Sequence, residues 1–164
     1  MMRRALLMLA CVLALAACGP SHNPDRLDPS RGAIFPANKA ERLTFRCGVR
    51  SVNIEGTWPP TAADIAHLEA RLGPVLRAKL KALPFNVQGT AIDVYYRQYG
   101  GIVAGGAKYI HINGFREDRV RFMRPDEWRT AAVTVCGGGL GDAWHFTALY
   151  DPQSDRIGNF KFSQ

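Results

Sequence analysis

The chain has 164 residues, 47% of them hydrophobic, 10% aromatic and 21% charged, enough for one domain with a real core. Lys and Arg number 21 against 14 Asp and Glu, a formal charge of +7. No nucleic-acid-binding motif accompanies that excess, so nucleic acid is not an expected partner. Beyond the first eighteen residues no segment is long and apolar enough to span a bilayer.

Arg3 and Arg4 open the chain, and residues 5–17 are apolar with small residues at the end. This is the layout of an export signal, and it falls short of the ~20 apolar residues a spanning helix needs. The tetrapeptide Leu15-Ala16-Ala17-Cys18 resembles the lipobox of bacterial membrane lipoproteins. The resemblance implies removal of residues 1–17, a diacylglyceryl thioether on Cys18 and acylation, as by palmitate, of the new amino terminus. The alternative is an ordinary secretory signal with a cysteine there by chance. Two or more acyl chains anchor a domain stably. In the enteric lipoproteins that this signal resembles, aspartate after the cysteine retains the protein in the inner membrane. Gly19 stands there instead, which implies the outer membrane and a domain facing the periplasm.

Without Arg3 and Arg4 the formal balance falls to +5. Residues 19–38 are rich in Pro, Ser, Asn, Asp and Arg and read as a tether, with a typical end-to-end distance of roughly 25 Å. The expected division is a signal at 1–17, the lipidated cysteine and tether at 18–43, and a single domain at 44–164. With Cys11 removed and Cys18 lipidated, Cys47 and Cys136 remain as one disulfide pair for an oxidising compartment. The bridge would close a loop of about 90 residues, worth roughly 4–5 kcal/mol in the chain-entropy picture. Two buried thiols are the other reading.

Residues 46–54 alternate imperfectly and suggest a first strand. Thr61 is a candidate N-cap with Asp64 three residues on. Ile65, Leu68, Leu72, Val75, Leu76, Leu80 and Leu83 then recur at steps of three and four, predicting a helix over 62–83. Gly73-Pro74 interrupts the stripe, so a kink or two abutting helices is expected. Residues 92–103 and 108–115 read as a hairpin joined by Ala104-Gly105-Gly106. Residues 116–129 hold five arginines and four acids and predict a solvated, ion-paired loop, with an anion-binding patch as the alternative. Residues 131–136, 144–150 and 157–162 complete the strands. The expected fold is α+β, one long helix on a four- to five-stranded antiparallel sheet.

The C-terminal series Val135-Cys136-Gly137-Gly138, Trp144, Phe146, Tyr150-Asp151-Pro152 and residues 157–162 is similar to small uncharacterised secreted proteins and lipoproteins of proteobacteria. That resemblance implies no activity. The helix-then-meander order also resembles cystatin-type folds, which include inhibitors and binding modules, although a fold does not fix a function.

Three histidines fall in the domain, His67, His111 and His145, with no local metal-ligand spacing. Ser51, Ser154 and Ser163 sit in no nucleophile elbow. Pairing of Cys136 with Cys47 would remove its thiolate. Asp142 and Asp151 flank one strand, more than ~20 Å apart, too far for a carboxylate pair. No catalytic residue, metal or cofactor is assigned. The candidate binding residues are Tyr95, Arg97, Tyr99, Tyr109, His111 and Arg121, on a sheet face or the arginine loop, where Tyr and Arg suit binding hot spots. The plainer reading is that the tyrosines complete the core. The expected function is a membrane-anchored envelope lipoprotein acting as a non-enzymatic binding or accessory module for a protein or envelope component. The alternatives are an envelope enzyme assembled from distant residues such as His111, His145 and Arg97, and an inhibitor of a periplasmic enzyme.

Overall fold

The computed structural model describes residues 25–46, 49–50, 52–83, 92–134 and 143–162. The expected signal at residues 1–17, Cys18, Cys47 and Cys136 lie outside the described residues. The fold is α+β, with a mixed, mostly antiparallel sheet.

Helix α1 (Ala62–Lys81) starts at the predicted cap. Asp64 N donates to Thr61 Oγ1 at 3.2 Å, and Thr61 N donates to Asp64 Oδ2 at 2.7 Å, so two end amides are satisfied reciprocally. Ile65, Leu68, Leu72, Leu76 and Leu80 form its buried stripe. Pro74 sits inside α1 and does not divide it. It lies on the exposed side, where the carbonyl it leaves unpaired can reach water. Gly73 beside it is buried, and a Cβ there would sit 1.8 Å from the Asp25 carbonyl oxygen. The N-terminal segment therefore lies directly on the helix backbone.

The sheet runs β1 (Gly32–Ile34), β5 (Tyr95–Ala104), β6 (Ala107–Arg116), β7 (His145–Asp151), β8 (Arg156–Phe162), with β4 (Gly56–Trp58) also on β5. The short pair β2 (Phe45–Arg46) and β3 (Val49–Arg50) stands apart as its own two-stranded sheet. The long hairpin β5–β6 turns at Gly105 and Gly106, both at positive φ (56° and 74°), as a two-residue turn between right-twisted strands requires. Glu55 clasps that turn, its two carboxylate oxygens accepting from the Gly105 and Gly106 amides at 2.9 Å each.

Three expectations are corrected. The sheet has six strands, not four or five, and β1 pairs parallel with β5. Both added strands, β1 and β4, are three residues long, too short to show alternation. The tether expected up to residue 43 ends much earlier. Leu27, Ala33, Phe35, Ala40 and Leu43 are buried, spaced irregularly because residues 29–31 and Ala37–Thr44 are 3-10 turns. Residues 131–134 form no strand, and Ala131 O, Val133 N and Val133 O are taken by sheet side chains instead.

The β5–β6 register places Tyr99 opposite Ile112 and Gly101 opposite Ile110. Tyr95, Tyr99, Ile110, Ile112, Phe146 and Ala148 therefore share the face that packs on the α1 leucines. The second face carries Tyr96, Gln98, Gly100, His111, Asn113 and Phe115. The 3-10 helix Ala37–Thr44 covers one part of it. A Cβ at Gly100 would lie 2.9 Å from Leu43 Cδ1 and 3.1 Å from Ala40 Cβ.

Candidate binding surface

Another part of that second face, at Tyr96, Gln98, Asn113 and Phe115, is covered by the arginine-rich segment after β6. It begins with a single turn, α2 (Glu117–Val120), and continues through a 3-10 turn at Glu127–Arg129. Trp128 is buried against Tyr96, with ring centroids 4.9 Å apart, and against Phe115 at 6.4 Å. Beneath it lies a polar clamp. Gln98 Nε2 donates to the Trp128 carbonyl and, at 2.7 Å, to the Ala131 carbonyl. Asn113 Nδ2 donates to Val133 O at 2.9 Å and to Gln98 Oε1 at 2.8 Å, and Val133 N donates to the same Oε1 at 3.2 Å. His145 Nε2 meets Asn113 Oδ1 at 2.6 Å. Gln98, Asn113 and His145 are all buried. Buried amides without partners would each cost about 1–3 kcal/mol, so this network fixes where the loop sits.

The loop's near-balance of charge does not persist in space. Glu117 pairs with Arg31 at 3.0 Å, Asp118 lies 4.0 Å from Arg116, and Asp126 pairs with Arg129 at 2.8 Å. Glu127 accepts from the Arg124 backbone amide at 3.0 Å. Among the described residues no carboxylate lies within ion-pair distance of Arg119, Arg121 or Arg124. Arg119 instead lies over the Trp144 ring, 4.7 Å from its centroid. Between these cations Phe122 is 82% exposed, with the Arg121 guanidinium 4.7 Å from its ring centroid. The loop therefore offers an aromatic ring in a positive surround, on a base held by buried hydrogen bonds.

The predicted binding residues divide. Arg121 is exposed at this tip, and Tyr109 is half-buried. Tyr95, Arg97 and Tyr99 are fully buried on the helix-facing side, not on an outer face. Burial raises the hydroxyl pKa of Tyr95 and of Tyr99. Arg97 is the centre of an internal network. It donates through Nη2 and Nε to Glu69 Oε1 at 3.0 and 3.2 Å, through Nε to Tyr99 Oη at 2.8 Å, and through Nη1 to Tyr95 O at 2.6 Å. Tyr99 donates to the same Glu69 oxygen at 2.7 Å.

His111 is buried and lines a cavity of about 130 Å³ with Thr147, Leu149 and Lys161. Burial lowers its pKa to about 4, and its Nδ1 has no hydrogen-bond partner. His111 pairs with Leu149 while His145 pairs with Phe115, four residues along β6 and so roughly 13 Å away. Arg97 is on the opposite face. The constellation of His111, His145 and Arg97 is therefore not brought together. Phe122, Gln98 and Asn113 were not singled out as site residues from the sequence. A lone phenylalanine inside a charged run is the signal that could have found Phe122.

Comparison of the chain with protein families, curated proteins and solved structures finds no match.

Proposed function

We propose that this is a membrane-anchored envelope lipoprotein whose domain holds a partner protein through the Phe122 tip, without performing chemistry on it. The lipobox supports the anchor, and Gly19 supports the outer membrane. The observation that carries the binding reading is an 82% exposed phenylalanine beside Arg121 and Arg124, whose neighbouring carboxylates are engaged elsewhere. An exposed phenylalanine ring has only two rotatable side-chain bonds, so on a fixed base it loses little conformational freedom on binding. The chemistry that fits is an apolar pocket rimmed by carboxylates, which steer the arginines while the pocket desolvates the ring.

The test is photocrosslinking in living cells with a photoreactive residue in place of Arg121, and another in place of Tyr109 as comparison. A single protein adduct from position 121 that disappears in the Phe122→Ala background supports the proposal and identifies the partner. Adducts only with lipid, or a protein adduct indifferent to Phe122→Ala, would overturn it.

A further inference from the structure

Asp25, the first described residue, is held from two sides. Its carboxylate pairs with Arg77, and its carbonyl lies on Gly73 of α1. Leu27 is already buried. Between Cys18 and Asp25 there are seven residue steps. Whatever path they take, they span at most about 25 Å. A compact domain of about 140 residues is roughly 37 Å across. The point opposite Asp25 therefore cannot touch a surface to which Cys18 is fixed, and Asp25 stays within about 25 Å of that surface.

The charge of that side suits an anionic surface. Asp25 pairs with Arg77, Glu69 with the buried Arg97, and Asp155 with Arg71. Arg26 and Lys81 are exposed, and among the described residues neither has a carboxylate in ion-pair distance. Lys81 stands one helical turn beyond Arg77, on the same side of α1 as Pro74 and Ala70.

We infer that the domain rests on anionic phospholipid headgroups through the face formed by Arg26, Pro74 and Lys81, held there by the short link to Cys18. This orientation rests on the lipoprotein reading. The opposite end of the sheet, at Lys108 beside the β5–β6 turn, lies about 26 Å along β5 from Tyr95 and stays clear of the lipid.

The test uses the full chain, processed in cells and reconstituted in vesicles of phosphatidylethanolamine with phosphatidylglycerol or with phosphatidylcholine. A photoreactive residue is placed at Arg26, Pro74, Lys81 or Lys108, and lipid adducts are counted by mass spectrometry. Adducts at 26, 74 and 81 should exceed those at 108 at least ~5-fold. Arg26→Glu with Lys81→Glu should lower the yield at 74 in the anionic vesicles by roughly fivefold or more. Equal labelling at all four positions, or none, in a chain whose intact mass carries the acyl groups overturns the orientation alone. An intact mass that lacks them overturns the lipoprotein reading, and the orientation with it.

Discussion

Asn113 and Gln98 stand directly opposite each other in the β5–β6 register, and the Asn113 amide donates to the Gln98 carbonyl oxygen at 2.8 Å. Gln98 spends its remaining groups on the backbone of the arginine loop, at Trp128, Ala131 and Val133, while Asn113 reaches Val133 O through Nδ2 and His145 through Oδ1. A cross-strand pair thus performs the task that a β-ladder would perform for a strand. Asn113→Ala removes the link between Gln98, Val133 and His145. It should lower stability by about 2–3 kcal/mol, because buried polar groups lose their partners. Hydrogen exchange should accelerate at the amides of residues 128–134. Unchanged exchange there, with the melting temperature lowered, would show that Trp128 packing alone holds the loop.

The Arg97–Glu69 pair makes a second prediction, with a larger cost for the single change than for the double one. Arg97 is 0% exposed and the Glu69 side chain 16%, so the pair is little screened. Glu69→Ala strands a buried guanidinium and should cost about 3–5 kcal/mol. Replacing both, as Glu69→Leu with Arg97→Met, should recover most of that loss, since a well-packed apolar pair removes the stranded charge. Denaturant unfolding of the three proteins measures it. A double variant as unstable as Glu69→Ala would mean that Arg97 is needed for its bond to the Asp28 carbonyl, 2.5 Å away.

Helix α1, the β5–β6 hairpin and the closing strands were legible because each buries one face over many residues, and burial imposes a period. The capping box of Thr61 and Asp64 was legible for a related reason, since it satisfies end amides locally. Residues 25–44 were not. Their buried side chains follow 3-10 turns and a three-residue strand, which leave no sustained period, and their Pro and Ser content mimics a linker. The candidate site was half legible. Arg121 and its loop stood out by charge, but the loop read as neutral, because which carboxylate reaches which arginine depends on Arg31, more than 80 residues away in sequence. Tyr95 and Tyr99 alternate correctly, yet the face they occupy follows only from the hairpin register.

Gly114 marks a close approach of β6 and β7. A Cβ at Gly114 would lie 2.1 Å from Phe146 Cε1, and the Phe146 ring is itself stacked on Phe160 with centroids 5.0 Å apart. The ring cannot retreat, so Gly114→Ala should cost about 3 kcal/mol, at the upper end of overpacking effects. In a Phe146→Leu background the same change should cost clearly less. A double-mutant cycle with no coupling would place the strain elsewhere. By contrast Phe122→Ser should leave stability within about 0.5 kcal/mol, as for exposed positions generally.

His111 predicts an acid sensitivity in a defined window. Its pKa falls from 6.5 to about 4 because burial disfavours the imidazolium, and Lys161 is the charged group that lines its cavity. Above pH 6.5 both folded and unfolded chains carry the neutral ring, and it contributes nothing. Between pH 6.5 and 4 the unfolded chain binds a proton that the folded chain does not, so stability falls as pH falls. The full loss, reached below pH 4, is about 3 kcal/mol. The carboxylates with depressed pKa values, Asp28, Asp64, Asp151 and Asp155, also lose stability on acidification, but only from near their unfolded value of 3.8 downward. The two windows are therefore separable. His111→Leu, which also removes the unpartnered Nδ1, should cost no more than about 1 kcal/mol at pH 7. It should flatten the stability profile between pH 6.5 and 4.5. Urea unfolding at half-unit pH steps decides it, and a variant that keeps the wild-type slope would show that another group supplies the proton uptake.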